Sequence, residues 1–260
     1  MEKDMLGNKK IAIIGAGHMG KAITEGLIKS KKIKPSNIFI SNKSNNIYIV
    51  KKADYIFIAV KPFKVKEVLD EIRLFIGNKI ILSVAAGISL EILLNYSNTN
   101  QKIIRLMPNI PVSENKGVIG FFSNKNILNS EKNQIIKLIS LLGKVFELKK
   151  EEDLDSLTLI GGCGPAISAY FINLLSNFAV SQGFSQAESI DMTLKIFEGT
   201  VSYLQNNNLT PSQLIKSVAT KGGVTEAILN ELNINNVDKL FTGAMKKGNG
   251  KIKKLKEKIK

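Results

Sequence analysis

The feature that most constrains this chain is KIAIIGAGHMG near its start. A short apolar run breaks into Gly15-Ala16-Gly17-His18-Met19-Gly20 and passes straight into HMGKAITEGLIKS, whose apolar residues recur at helical spacing. Strand, GxGxxG and helix in that order call for a parallel βαβ unit that binds a dinucleotide. The first glycine allows a tight turn, the second lets a pyrophosphate approach the backbone, and the third lets the helix pack closely on the strand. The helix start then offers unpaired N–H groups to a phosphate. The competing reading, a glycine-rich turn with no ligand, explains the context less well.

The first half continues the alternation. SNIFISN reads as a second short strand, IYIVKKA as a short helical patch, DYIFIAV and KIILSVA as strands flanking the helical FKVKEVLDEIRLFI. KIIRLMPNIP adds another apolar run, and VIGFF one more strand before the helix SEKNQIIKLISLLG. This is a parallel, doubly wound pattern. One stretch is too short for it: a parallel crossover takes about a dozen residues or more, so Asn42 to Asp54 holds a single short helix. The expectation is a sheet trimmed after its second strand, with a more open adenosine pocket.

After Glu151 the pattern becomes helical throughout, with helices predicted over 151–159, 165–182, 186–205, 211–218, 225–232 and from 237 into the tail. The boundary falls near residue 150, giving an α/β Rossmann-like domain over 1–150 and an all-α domain over 151–260. The uncharged run from Ser156 to Ala187 is long enough to span a membrane. Ser168, Asn173, Ser176 and Asn177 interrupt it, Gly161 to Gly164 precede it and Pro165 sits at a first helical position, which favours a helix buried against a partner or a second domain. The net charge of +15 admits nucleic acid, an anionic membrane or an anionic substrate. The lysines are dispersed and do not interleave with aromatics, so neither nucleic acid nor membrane is expected as a partner. A single cysteine, Cys163, excludes an internal disulfide, and the start carries no secretory signal, which points to the cytoplasm. Cys163 reads as a buried small residue, since no histidine is placed to activate it.

Two further stretches bear on chemistry. Where an NAD-selective site usually presents a carboxylate to the ribose, about twenty residues past the glycines, the chain has Ser41-Asn42-Lys43-Ser44. Hydroxyls and a lysine there favour a 2′-phosphate, hence NADP with NADPH preferred and NADH possible; solvated turn residues are the alternative. Far downstream, Thr220-Lys221-Gly222-Gly223-Val224-Thr225-Glu226 sets two glycines before the helical AILNEL. Such a loop suits a small anion held by backbone N–H groups of Gly223, Val224 and Thr225, with the Thr220 hydroxyl adding a bond.

IAIIGAGHMG, ADYIFIAVKP, SVAAGISLEIL, RLMPNIP, GGCGPA and TPSQLIKSVATKGGVTEAILNEL follow one another as they do in the pyrroline-5-carboxylate reductases, which the chain resembles from Lys10 to about Gly250. The resemblance implies NAD(P)H-dependent reduction of a cyclic imine, pyrroline-5-carboxylate, to L-proline, the last step of proline biosynthesis. It also implies a homodimer built on the helical domain, with rings of dimers as a further possibility. To the cofactor contacts already read at Gly15, Ala16, Gly17, His18, Met19, Gly20, Ser41, Asn42 and Lys43 it adds, by position, Asn46, Ala59, Val60, Lys61 and Pro62, and Ala85, Ala86 and Gly87. Substrate contacts fall at Thr220, Gly222, Gly223, Val224 and Thr225, with the Thr225 hydroxyl as the catalytic contact to the ring nitrogen and no metal. Met107, Pro108 and Asn109 shape the nicotinamide side or pack the core. The chain departs from the family pattern at Lys221, where proline is usual, at Ile215-Lys216, and in the short segment after the second strand. Two rivals stand beside this reading: a 3-hydroxyacid dehydrogenase, which places a catalytic lysine or a histidine with a glutamate in its helical domain, and a binding protein that kept the fold without catalysis.

Overall fold

The computed structural model describes Leu6, residues 8–41 and residues 44–257. The chain forms two compact units, one made of the described residues up to Pro165 together with those from Asn249 on, the other of Ala166–Gly248.

The first unit is a seven-stranded sheet. Its strands are β1 (Ile11–Ile14), β2 (Ile38–Ser41), β3 (Tyr55–Ile58), β4 (Ile80–Ser83), β5 (Lys102–Met107), β6 (Gly117–Ser123) and β7 (Gly143–Glu147), in the order β2-β1-β3-β4-β5-β6-β7. The first five are parallel, in a register that pairs Ile11 with both Ile38 and Tyr55, then Tyr55 with Ile80 and Ile80 with Lys102. The central strands are apolar without alternation because helices cover both faces. Ile11, Ile13, Phe57 and Leu82 enter one core with α1 (His18–Lys29) and α5 (Asn129–Ser140). Ala12, Ile14, Ile56, Ile58 and Ile81 enter the other with α2 (Asn46–Lys52), α3 (Val65–Ile76) and α4 (Leu90–Tyr96). In α3 the buried residues Val65, Val68, Leu69, Ile72 and Ile76 recur at helical spacing, and Gly77, at φ +54°, ends the helix.

The trimmed edge is present as expected: among the described residues, α2 is the sole helix between β2 and β3, and β2 is an edge strand. The sheet is not parallel throughout. β6 runs antiparallel to β5, with Met107 facing Gly120, because the link from Asn109 to Lys116 holds only a short 3₁₀ turn and cannot complete a parallel crossover. β7 then returns parallel to β6 through α5. Neither β7 nor α4 was predicted: β7 is a half-exposed edge strand with little apolar signal, and α4 is a seven-residue helix.

The second unit holds α8 (Gln186–Asn206), α9 (Pro211–Val218), α10 (Val224–Ile234), and all but the ends of α7 (Gly164–Ser181) and α11 (Val237–Glu257); α6 (Asp153–Leu157) and a π-helical turn over Thr158–Gly162 precede them. Two helix starts are written in the sequence as capping boxes. Ser185 Oγ accepts from Glu188 N–H while Glu188 Oε2 accepts from Ser185 N–H at 3.0 Å; Thr210 and Gln213 do the same, ahead of Pro211. Among the described residues of Ala166–Gly248, only Ser176, Ser189 and Thr193 are buried. These small side chains mark the α7–α8 crossing, where Ser176 Oγ reaches the Ser189 carbonyl. Leu174, Leu175, Phe178, Leu194 and Ile228 remain exposed.

Candidate active site

The carboxyl ends of β1, β3 and β4 lie side by side, so the loops that leave them gather at one edge of the sheet. At the first, Gly15 adopts φ +113°, and a Cβ there would stand 2.6 Å from the Ala59 carbonyl group. A Cβ on Gly20 would meet the Gly15 carbonyl oxygen at 1.9 Å. These glycines press the turn onto the β3 exit and the helix onto the turn. Gly17 is different. It is exposed, has nothing within 4 Å of a built Cβ, and caps α1 without any side-chain bond. Open space above a helix start with unsatisfied N–H groups fits a pyrophosphate. His18, the first residue of α1, is exposed.

Ala59 continues the β1–β3 ladder by donating to the Ile14 carbonyl at 2.8 Å, and Val84 donates to the Ile58 carbonyl at 3.1 Å. Val60 and Pro62 are half-buried and Lys61 exposed; past β4, Ala85 is buried while Ala86 and Gly87 reach the surface. On the other side of β1, Gly15 N–H donates to the Ser41 carbonyl at 3.0 Å, which fastens the phosphate turn to the end of β2. Ser41 is fully buried, and its Oγ has no hydrogen-bond partner among the described residues. Asn46, the first residue of α2, is also buried; its Nδ2 donates to Glu71 Oε2 at 2.7 Å and its Oδ1 is unpartnered. Asn42 and Lys43 lie outside the described residues.

Asn109 is a brace inside the first unit: its Nδ2 donates to the Gly161 carbonyl at 3.0 Å and its Oδ1 accepts from Val118 N–H at 2.8 Å. That joins the β5 exit, the start of β6 and the π-helical turn of GGCGPA. Met107 fills the space a Cβ on Gly162 would take, 2.7 Å from its Cε. Cys163, expected to be buried, is exposed, because it follows the π-helical turn instead of lying within a packed helix. Behind these loops the buried Arg105 donates to Glu151 Oε1 at 2.6 Å, and the same oxygen accepts from Leu90 N–H at 2.7 Å. The strongly displaced titrating group of this unit lies at the opposite end of β3, where burial, with Asp54 and Glu131 adding to it, pushes the Tyr55 hydroxyl up to about 12.

The second glycine loop is assembled within the helical unit. Gly222 adopts φ +75°, a backbone that favours glycine. Gly223 caps α10, and a Cβ on it would stand 2.7 Å from Thr220 Oγ1. One donor expected to serve a ligand is already engaged, Gly223 N–H donating to the Thr220 carbonyl at 2.9 Å, and the neighbouring Gly222 N–H donates to Glu226 Oε2 at 2.7 Å. Of the donors expected there, the first N–H groups of α10, those of Val224 and Thr225, have no carbonyl within the helix to bond. Thr225 is half-buried; Thr220, Lys221 and Val224 are exposed. The sequence reading missed Glu226, Glu71 and the Arg105–Glu151 pair. Only Glu226 had a local signal, standing three residues past the helix cap where a capping carboxylate reaches back.

A doubly wound sheet with an open phosphate turn, followed by a separate helical unit, defines a dinucleotide-dependent oxidoreductase. Residues 151–255 match the family model described as pyrroline-5-carboxylate reductase dimerisation, and residues 10–48 one described as NADP oxidoreductase, coenzyme F420-dependent. The chain is 30% identical over 232 residues to the pyrroline-5-carboxylate reductase of Aquifex aeolicus, covering 83% of this chain and 86% of that protein. It is 29% identical to pyrroline-5-carboxylate reductase 2 of Bacillus subtilis, over 86% of this chain and 87% of the relative. The crystal structure of Plasmodium falciparum pyrroline carboxylate reductase with NADP bound superposes with a TM-score of 0.89 at 29% identity, covering 96% of this chain and 99% of the other. The chain belongs to the pyrroline-5-carboxylate reductase family.

Proposed function

We propose that this protein reduces pyrroline-5-carboxylate to L-proline with NADPH, NADH serving as the lesser donor. The observation that carries the reading is the pair of glycine loops, GAGHMG and TKGGVTE, each opening a helix whose glycine cap makes no side-chain bond, so its first N–H groups find no partner within the helix, in a chain of this family. Bound at the first loop, the nicotinamide cofactor supplies hydride to the imine carbon. Gly15, Ala16, Gly17, His18, Met19 and Gly20 hold the pyrophosphate. Ser41, Asn42, Lys43 and Asn46 attend the adenosine ribose, and Ala59 to Pro62 with Ala85 to Gly87 flank the remainder. At the second loop, Val224 and Thr225 N–H receive the substrate carboxylate, while Thr220, Gly222 and Gly223 shape the turn that presents them. The Thr225 hydroxyl orients the ring nitrogen, whose proton comes from solvent or arrives with a protonated imine, since a threonine hydroxyl is a weak acid.

In this reading residues 1–150 are the nucleotide domain and 151–260 the substrate and dimerisation domain, two subunits pair through their helices, and the enzyme works in the cytoplasm. The rival hydroxyacid chemistry lacks support in the helical unit: the chain's one histidine is His18, in the phosphate turn, and no lysine of that unit stands in a matching motif. The test is oxidation of NADPH, and in parallel NADH, by purified protein with and without pyrroline-5-carboxylate. Imine-dependent oxidation should fall about tenfold to a hundredfold in Thr225→Ala, the range for losing one hydrogen bond to a charged group. A folded wild-type protein that turns over neither cofactor would exclude the assignment.

A further inference from the structure

We propose that Glu71 is a positioning residue for the cofactor: it aims the Asn46 amide so that Asn46 Oδ1 accepts a hydroxyl of the adenosine ribose, in a subsite that serves NADPH and NADH alike. This rests on the nicotinamide-dependent reading above. An asparagine amide has a donor end and an acceptor end, and a carboxylate can only accept. With Asn46 Nδ2 donating to Glu71 Oε2 at 2.7 Å, Oδ1 is committed to the other side. There it is buried with no partner among the described residues, and so is Ser41 Oγ. Buried polar atoms are paired in the great majority of cases, and an unpaired one is costly, so an orphaned acceptor whose amide partner is already fixed marks a place where a polar ligand group belongs.

Position says which part of the ligand. The Ser41 carbonyl takes the N–H of Gly15, the first glycine of the phosphate turn, and α2, which begins at Asn46, packs against β1 and β2. In a doubly wound fold the end of the second strand is where the adenosine ribose lies. Chemistry says which group. Asn46 Oδ1 is an acceptor and a carboxylate stands behind it, so a phosphate, which brings only acceptors and negative charge, is disfavoured, while a hydroxyl is welcome. Both cofactors carry a free ribose hydroxyl. The choice between them, which turns on the 2′-phosphate, therefore falls to other residues.

The test is equilibrium binding to the intact protein, followed by calorimetry and nicotinamide fluorescence, with NADPH, NADH, ADP and reduced nicotinamide mononucleotide as probes. Glu71→Gln lets the Asn46 amide turn over. It should weaken NADPH, NADH and ADP by a common factor of about three to ten, the range for one hydrogen bond. Reduced nicotinamide mononucleotide, which lacks the adenosine ribose, should bind unchanged, and the ligand-free unfolding temperature should stay within a degree or so. Glu71→Asp, one methylene too short, should not restore binding, and Glu71→Gln should add nothing in an Asn46→Ala background. Unchanged affinity for all three adenosine ligands overturns the proposal. So does a loss confined to NADPH, or a loss shared by the mononucleotide or accompanied by a lower unfolding temperature, which would make Glu71 a structural strut. Wild-type protein that binds none of the probes would instead remove the nicotinamide reading itself.

Discussion

Gly222 concentrates the residue-scale argument. It sits at φ +75° and lends its N–H to Glu226, so the turn before α10 is held by one backbone conformation and one side-chain bond. Alanine at that position costs about 1–2 kcal/mol for the left-handed conformation, comparable to what the single Glu226 bond contributes, and the loop should relax out of shape. Gly222→Ala is expected to raise KM for the imine about fivefold to thirtyfold while leaving the NADPH dissociation constant unchanged, measured by steady-state kinetics beside direct titration. An equal effect on both would mean that the loop is not a separate substrate element. The glycines of both loops were legible in the sequence because residue type alone announces them. What each glycine does was not: Gly223 N–H looked free for a ligand, and only the folded turn shows it bonded to the Thr220 carbonyl. Likewise, nothing near Asn46 announces Glu71, because their contact joins two helices far apart in sequence.

Between elements, the Arg105–Glu151 pair ties three segments that the sequence shows only separately. Glu151 Oε1 receives both the buried Arg105 guanidinium of β5 and the first N–H of α4, the helix that follows the Ala85–Gly87 loop. Removing the carboxylate strands a guanidinium whose side chain is only 8% exposed. Glu151→Ala should therefore destabilise the protein by about 3–5 kcal/mol, read as a lower urea midpoint with unchanged slope. Adding Arg105→Met should return part of that loss, since an apolar side chain leaves no charge uncompensated; a double variant no more stable than the single would show that the carboxylate acts chiefly through Leu90. The strands and long helices were legible because burial on both sheet faces writes continuous apolar runs and helix stripes into the chain. α4 was not legible because seven residues give too short a period, and β7 was not because a half-exposed strand such as GKVFE carries charge at Lys144 and Glu147. The reversal at β6 was encoded in the brevity of the link after Met107, a constraint of chain length that local pattern does not display.

At the scale of the whole molecule, the helical unit's surface demands a partner. Tyr170, Phe171, Leu174, Leu175 and Phe178 form a helical stripe along α7, all exposed, while no apolar side chain of Ala166–Gly248 joins the buried core among the described residues. Contiguous apolar surface on this scale marks an association site. The length and composition of Asp153–Ser181 also meet the requirement for a membrane span, but a stripe interrupted by Asn173, Ser176 and Asn177 suits a second helical unit better than lipid, and residues 151–255 match a dimerisation family. A carboxylate in the middle of the stripe separates the two. Phe178 is 62% exposed in the single chain, so Phe178→Glu costs little there, yet within a dry interface an unpaired charge costs several kcal/mol. The wild type should sediment as a dimer or larger at micromolar concentration, and Phe178→Glu as a monomer that retains NADPH binding and loses imine turnover. Retained nucleotide binding and helix content guard against simple unfolding. A wild type that sediments as a monomer would remove the pairing itself, and a Phe178→Glu protein that stays dimeric with full turnover would place the interface elsewhere on the helices; turnover by an isolated Phe178→Glu monomer would show instead that one chain carries a complete site.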